Sequence, residues 1–246
     1  MIIDVSKWQG EINWRLVATK VDGAIIRAYN GTKEDETFVR NINGCITCGI
    51  PVGIYYYSKA KSSAQLKKEV TAVDKIIGKY KDVITLGVFI DLEEKGTENQ
   101  AATNAKEFIA FMTEKGYKKV GVYANESWYK TYLKGVDIPY KWVAKWTSKK
   151  TLPSIDSLYL HQYTSTGRVA GIDGDVDLSN LVTEVKPVTT PVVVLKEDDI
   201  NLKIAKEVIQ GKWGNGADRR NRLTAAGYNY RKVQAIVNKL MKSERS

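Results

Sequence analysis

Short apolar runs alternate with segments of helical periodicity over about the first 180 residues, and this alternation restricts the fold more than any other feature. The runs have the length and the β-branched or aromatic character of strands. Eight of them are predicted strands: MIIDVS, DGAIIRAYNG, PVGIYYYS, VFIDLEE, KKVGVYAN, YKWVAKW, SLYLHQYT and a short last strand within GRVAGIDGDVDLS. Strands that alternate with helices favour a parallel sheet.

The strand-rich part of the chain is too short for a complete (β/α)₈ barrel, which typically needs about 250 residues. We therefore predict an α/β fold, an irregular, TIM-like β/α barrel whose last outer helices are short or missing. The stretch EVKPVTTPVVVLKE reads as a linker, because its prolines break helices. Helical periodicity then resumes in a small all-α module of three helices. The predicted domains are the barrel at 1–183, the linker at 184–197 and the module at 198–242.

Two acids share one face of a predicted strand, since Asp91 and Glu93 lie two residues apart in VFIDLEE. Neighbouring carboxylates in a buried site repel each other and lose hydration, so one of them tends to stay protonated near neutral pH. A protonated carboxyl group suits general acid catalysis. The spacing alone leaves open a solvated acidic strand end without a catalytic role.

In barrels of this kind the catalytic groups sit where the parallel strands end. Two further acids are predicted at such ends, Asp4 and Asp177. Aromatic and amide side chains predicted at the same rim are candidates to bind a ligand that stacks on rings: Tyr29, Tyr57, Trp146 and Gln162. Trp142 is predicted to be a core residue. The convergence of four acids and several rings is hard to explain by solubility and indicates a functional site. A divalent metal is a weaker alternative.

The net charge and its distribution restrict the classes of partner that the protein can bind. The net charge is +10, and residues 198–246 carry 11 basic and 5 acidic residues, a net charge of +6. A basic module favours an anionic partner: nucleic acid, a membrane surface or a cell-wall polymer.

Cys45 and Cys48 cannot form a four-ligand zinc site with the one histidine, His161, so we predict packing thiols and no metal or cofactor. No apolar run is long enough for a membrane span, and no signal peptide is recognised, which predicts synthesis in the cytosol.

The ordered set DVSKWQG, IIRAYNGT, GIPVGIYYYS, FIDLE, VGVYAN, WVAKW and HQYTSTGRVAGIDGDVDL resembles glycoside hydrolase family 25, the lysozymes of bacteria and phages. The resemblance covers roughly residues 1 to 182. It implies an irregular β/α barrel and N-acetylmuramidase activity on bacterial peptidoglycan, in a phage endolysin that acts on the wall after release. It places the family's acids at Asp4, Asp91, Glu93 and Asp177, with Glu93 as the proton donor. His161 stands where many members carry Trp.

The stretch from Ile204 to Asn238 resembles the CW-seven cell-wall-binding repeat of phage lysins. That resemblance implies binding of peptidoglycan fragments, with Trp213, Arg222 and Tyr228 as the candidate contacts. The chain has one copy of the repeat, and a single copy binds monovalently. Self-association is therefore a way to gain avidity.

Two mechanisms and two rival functions stay open at this point. In the preferred mechanism the acetamido group of the substrate attacks C1 and Asp91 orients it. In the other mechanism, Asp4 or Asp177 acts as base or nucleophile. The rival functions are a non-catalytic peptidoglycan-binding protein, which loss of an acid would have favoured, and nucleic-acid binding by the basic tail. The tail lacks an aromatic stacking stripe and a recognition motif, so no nucleic-acid partner is expected.

Overall fold

The computed structural model describes residues 1–182, 197–225 and 228–243. Its first range forms a closed barrel, because β1 pairs with both β2 and β9 while the remaining strands follow in the order β9-β8-β7-β6-β5-β4-β2. The strands are β1 (Ile2–Val5), β2 (Gly23–Asn30), β3 (Lys33–Glu34), β4 (Val52–Tyr57), β5 (Ile84–Asp91), β6 (Val120–Asn125), β7 (Tyr140–Ala144), β8 (Leu158–Gly167) and β9 (Val176–Leu181). The predicted α/β barrel is confirmed.

Seven of the barrel strands are parallel, and the direction of the eighth differs from the prediction. β9 runs antiparallel to both of its neighbours, β8 and β1. The β8–β9 connection contains no helix, and without a crossover the chain returns in the opposite direction. The two-residue β3 pairs antiparallel with β2 and lies outside the ring of eight.

The strands are buried on both faces, which explains their nearly continuous apolar sequences. Ile25, Phe89 and Trp142 belong to a cluster that fills the barrel interior. Their neighbours Ile26 and Ile90 face outward and pack with the helices in a larger cluster. The alternation follows from the two-residue period of a strand.

The outer layer consists of five helices: α1 (Trp14–Val17), α2 (Phe38–Thr47), α3 (Ser63–Ile77), α4 (Ala101–Glu114) and α5 (Glu126–Thr131). In α3, Leu66, Val70 and Val73 recur at helical spacing and are buried against the sheet. Ser62 caps the first turn by accepting a hydrogen bond from the Gln65 amide. Cys45 is buried in the last turn of α2, as expected for a packing thiol.

The segment between β7 and β8, residues 145–157, replaces an outer helix. Glu126 at the start of α5 fastens it by accepting a hydrogen bond from the Ser154 amide, at 2.6 Å, and by pairing with Lys145, at 3.3 Å. Glu126 also accepts from Lys130, and these donors lower the pKa of its carboxyl to about 2. The prediction that outer helices are missing toward the end of the barrel is therefore confirmed. In this segment the Glu126 side chain holds the chain in place of a helix.

The described residues after 196 form three helices, α6 (Glu197–Ile209), α7 (Gly216–Ala225) and α8 (Tyr230–Ser243). They share a core of their own: Ile204, Ala205, Val208, Leu223, Val233 and Val237. The predicted linker falls almost wholly outside the described residues, and the domain boundaries stay a prediction. In the described ranges no helix combines the length and the apolarity needed to cross a bilayer.

Candidate active site

A cavity of about 120 Å³ opens where the parallel barrel strands end. Ten residues line it: Asp4, Arg27, Tyr55, Tyr57, Asp91, Glu93, Tyr123, Trp142, Gln162 and Asp177. The barrel thus brings together all four predicted acids and two of the four predicted sugar-binding residues. The described residues contain no group of three or more His, Cys, Asp or Glu side chains arranged to hold a metal ion.

Asp4 and Asp177 form one pair of acids in this cavity. They are direct partners in the β1–β9 ladder, and their side chains share a hydrogen bond. Burial raises the pKa of Asp4 well above its usual value, and the charge of Asp177 raises it further. Burial also raises the pKa of Asp177, while the hydrogen bond from Asp4 lowers it. Of the two acids, Asp4 therefore favours its protonated form more strongly, and Asp177 ionises more readily.

The place of Asp177 in its strand corrects the prediction. It lies near the start of β9 and not at a strand's carboxyl end. Because β9 runs antiparallel, its start is at the same rim as the ends of the other strands. The neighbouring Asp175 is exposed, pairs with Arg168 at 3.1 Å and lies outside the cavity.

Asp91 and Glu93 form the second pair of acids. β5 ends at Asp91, so Glu93 lies two residues beyond the strand, yet both line the cavity. Burial, followed by the charge of Glu93, raises the pKa of Asp91 well above its usual value. Burial, followed by the charge of Asp177, raises the pKa of Glu93. Asp91 is buried and its Oδ1 has no hydrogen-bond partner among the described residues, which leaves an acceptor for a ligand.

Arg27 is a cavity residue that the sequence analysis missed. Its Nε and Nη2 both donate to Asp35 Oδ2 at 2.8 Å, and both side chains are buried. The fixed positive charge opposes the rise in the pKa of Asp91 and so favours its ionised form. The available signal was a charged residue inside the otherwise apolar run GAIIRAYN.

Gln162 connects one acid to the rim of the cavity. Its Nε2 donates to Asp4 Oδ2 at 3.1 Å, which lowers the pKa of Asp4. Its Oε1 accepts from the Tyr123 hydroxyl at 3.0 Å and from Trp146 Nε1 at 3.1 Å. The two donors fix the orientation of the amide, so that its NH₂ group faces the acid.

The predicted aromatic residues have different environments. Trp146 lies two residues past the end of β7, is 65% exposed, and donates from its indole nitrogen to Gln162. Tyr57 lines the cavity and donates to Glu94 at 2.7 Å. Tyr29 lies outside the cavity and packs against the helix-facing core. A register shift between Arg27 and Tyr29 turns them to opposite faces, although a regular strand would keep them on one face.

Two other residues named in the sequence analysis, Trp142 and His161, are buried and hydrogen-bonded within the barrel. Trp142 is buried below the acids and donates to Ser179 Oγ at 3.1 Å. His161 is buried, with its Nε2 2.9 Å from the Lys145 carbonyl oxygen, and does not line the cavity.

The three candidate wall-binding residues lie in the helical module. Trp213 packs edge-on against Tyr228, with ring centroids 5.6 Å apart, and donates to Glu207 at 3.0 Å. Arg222 is exposed on α7 and pairs with Asp218 at 2.9 Å. Whether these residues contact the wall stays a prediction.

Residues 3–172 match the family described as glycosyl hydrolases family 25, which covers more than half of the chain. The chain belongs to glycosyl hydrolase family 25. Residues 203–241 match the CW_7 repeat, in agreement with the resemblance found in the tail.

Relatives of this family 25 protein match its barrel. Lysozyme M1 of Streptomyces globisporus is 31% identical over 192 residues, which is 71% of this chain and 65% of that protein. The catalytic domain of the endolysin ply40, from bacteriophage P40 of Listeria monocytogenes, has a TM-score of 0.67 and 29% identity, covering 74% of this chain and 92% of that domain. The modular autolysin LytC of Streptococcus pneumoniae, solved with a synthetic peptidoglycan ligand, has a TM-score of 0.64 and 28% identity. The match covers 72% of this chain and 45% of LytC.

Proposed function

We propose that this family 25 protein is an N-acetylmuramidase that hydrolyses the β-1,4 bond between N-acetylmuramic acid and N-acetylglucosamine in peptidoglycan. The observation that carries the proposal is the cavity in which two pairs of carboxyl groups face one another. Burial raises the pKa of Asp4 in one pair and of Glu93 in the other, and the buried Asp91 has a hydrogen-bond acceptor without a partner among the described residues.

Glu93 is assigned as the proton donor. Burial raises its pKa, so it keeps a proton closer to neutral pH than an ordinary glutamate. It is also less buried than Asp4 and Asp91, and an acid that delivers a proton to a bound sugar must be reachable from the cavity. Loss of this proton limits activity at high pH.

Asp91 is assigned to the acetamido group of N-acetylmuramic acid. Its unpartnered Oδ1 accepts the acetamido N–H, and the Arg27 charge offsets part of the rise in the pKa of Asp91. The acetamido oxygen attacks C1 while Glu93 gives its proton to the departing oxygen. Water then attacks C1 of the oxazolinium ion, gives a proton back to Glu93, and restores the acetamido group.

The competing mechanism uses Asp177 or Asp4 on the opposite wall. Asp177 ionises more readily than Asp4 and is suited to activate a water molecule, which attacks C1 directly. Proton NMR of the first sugar released separates the two mechanisms. A β-anomer agrees with the acetamido route, whereas an initial α-anomer excludes it and moves the base role to the opposite wall.

The decisive experiment is digestion of purified peptidoglycan, followed by borohydride reduction and mass spectrometry of the fragments. Reduced muramic acid at the new ends is expected, and reduced glucosamine would contradict the bond assignment. Glu93→Gln should lose about 10²–10⁴ in rate with unchanged melting temperature. Asp175→Asn is the control for removal of a nearby acid, since Asp175 lies outside the cavity.

We also propose that the protein acts in lysis of a host bacterium, as a phage endolysin, with its CW_7 repeat on the wall. The similarity to the ply40 catalytic domain and the repeat support this role. Cytosolic expression in a susceptible bacterium should leave cells intact until the membrane is permeabilised, and the culture should then clear. A culture that expresses Glu93→Gln should stay turbid. Equal clearing by both would contradict an enzymatic role in lysis.

A further inference from the structure

Trp8 lies at the rim of the barrel and has no role in the mechanism above. At 75% exposed it is the most exposed of the large apolar side chains in the described ranges. It follows β1 and stands four residues beyond Asp4. Single exposed apolar residues are common on protein surfaces. The exposure of Trp8 therefore indicates a binding role only in combination with how its turn is held and where it lies on the barrel.

The turn that carries Trp8 is fixed by its own residues. It is a 3₁₀ turn, Lys7–Gln9, closed by a reciprocal cap in which the Ser6 amide donates to Gln9 Oε1 at 2.9 Å and the Trp8 amide donates to Ser6 Oγ at 3.3 Å. The indole makes none of these bonds. The turn therefore presents the ring without depending on it.

Neighbouring elements also hold this turn. The Lys7 amide donates to Asp35 Oδ2 at 3.1 Å, and Gln9 Nε2 donates to the Asp175 carbonyl oxygen at 3.2 Å. Arg40 donates to the Gly10 carbonyl oxygen. Hydrogen bonds from three neighbouring segments leave the backbone of the turn preorganised, which lowers the entropy lost when a ligand binds there.

The order of strands around the barrel decides where Trp8 stands relative to the acids. Asp177 on β9 and Asp91 on β5 are four strands apart in either direction around a ring of eight, so their walls face each other across the mouth. Trp146 follows β7, midway between those walls on one side. Trp8 follows β1, which lies between β9 and β2 and three strands from β7. The hydrogen bonds of its turn with Asp35 and Arg40, which follow β2 in the chain, place it toward the β2 side of the Asp4–Asp177 wall, away from Trp146.

We propose that Trp8 forms a separate glycan-binding subsite, in which a pyranose ring of the polysaccharide stacks on the indole. A strand that passes between the two acid walls meets Trp146 on one side and leaves over Trp8 on the other. This inference rests on the proposed function for the direction of the strand. The Lys7 ammonium lies over the Trp8 ring, 5.0 Å from its centroid, and pairs with Glu36 at 3.9 Å. The subsite takes an N-acetylhexosamine of a long glycan, through the apolar face of its pyranose ring.

The subsite predicts a dependence on glycan length. Trp8 does not line the cavity, so in this proposal a disaccharide bound there leaves the indole free, whereas a longer strand contacts both. Loss of an aromatic contact of this kind weakens binding by about tenfold. Trp8→Ala should therefore weaken the binding of long glycans much more than that of a disaccharide, and Trp8→Phe should restore part of the difference.

The test is calorimetric titration of the full chain carrying Glu93→Gln, which removes turnover, with a disaccharide and with peptidoglycan glycan strands freed of their peptides. Trp8→Ala is compared with Leu16→Ala, which removes an apolar side chain that is 50% exposed away from the cavity. The expected result is about tenfold weaker binding of the long strand for Trp8→Ala only. Equal affinity of both variants for the long strand would overturn the subsite.

Failure of the subsite and failure of the proposed function give different results. If the unmodified protein cleaves peptidoglycan but Trp8→Ala binds long strands normally, the subsite alone is wrong. If Trp8→Ala weakens binding but the unmodified protein releases no muramic ends, the subsite stands and the proposed function is wrong. If the Glu93→Gln chain binds no glycan at all, both are wrong.

Discussion

Replacement of Gln162 by leucine should show how much the hydrogen bonds beneath the active site contribute to stability. Leucine has a similar volume but removes the donor to Asp4 and the acceptor shared by Tyr123 and Trp146. Trp146 is exposed, so water replaces its lost partner, whereas Asp4 and Tyr123 are buried. Each buried group left without a partner costs about 1–3 kcal/mol.

Two such groups could cost about 2–6 kcal/mol together, and because the cavity admits water to both, the expected loss is about 2–4 kcal/mol. For a domain of this size the barrel should melt about 4–16 °C lower. Thermal unfolding of the full chain at pH 7, followed by near-ultraviolet circular dichroism, measures the change. The KM for glycan should rise in the same variant, because the Trp146 indole loses its anchor.

Gln162→Glu is the matched variant. It keeps the acceptor for Tyr123 and Trp146 but replaces the donor to Asp4 with a carboxyl group. At pH 4 that carboxyl is largely protonated and can donate, so the variant should approach the stability of the parent. At pH 8 it is a further charge beside Asp4 and should destabilise the barrel. A leucine variant that melts within 2 °C of the parent at pH 7 would refute the reasoning.

Three further predictions follow from the same structure. Burial raises the pKa of Asp91, so folding favours its protonated form and the contribution of Asp91 to stability falls as pH rises above its unfolded pKa. Asp91→Asn should therefore melt like the parent near pH 4 and higher than the parent at pH 8, and an equal difference at both pH values would contradict this. Phe108→Ala, at a buried contact 5.6 Å from the Tyr56 ring, should destabilise the barrel by about 3–5 kcal/mol in urea unfolding, and a loss below 1 kcal/mol would contradict the packing. Residues 1–184 should fold alone and cleave soluble muropeptides, but bind walls more weakly than the full chain in pull-downs as salt rises, because residues 198–246 carry a net charge of +6. Equal wall binding by both forms would contradict the anchoring role.

Local sequence patterns were sufficient for the main elements and for half of the cavity. The two-residue period placed Asp91 and Glu93 on one face, and apolar periodicity identified α3. The shortage of residues for outer helices indicated an incomplete barrel, and the segment 145–157 is where a helix is missing. These features depend on the order of residues along a short stretch, so the sequence contains them directly.

The tertiary structure alone decided the direction of β9, the pairing of Asp4 with Asp177 and the partners of Gln162. An apolar pattern is the same for a parallel and an antiparallel strand, and the direction follows from which neighbours close the ring. Because of the register shift between them, Arg27 faces the cavity although it was not predicted there, and Tyr29 faces away from the cavity although it was predicted to line it. A single irregular residue reverses the face of every residue after it, and strand pairing, which sets such irregularities, joins residues far apart in the sequence.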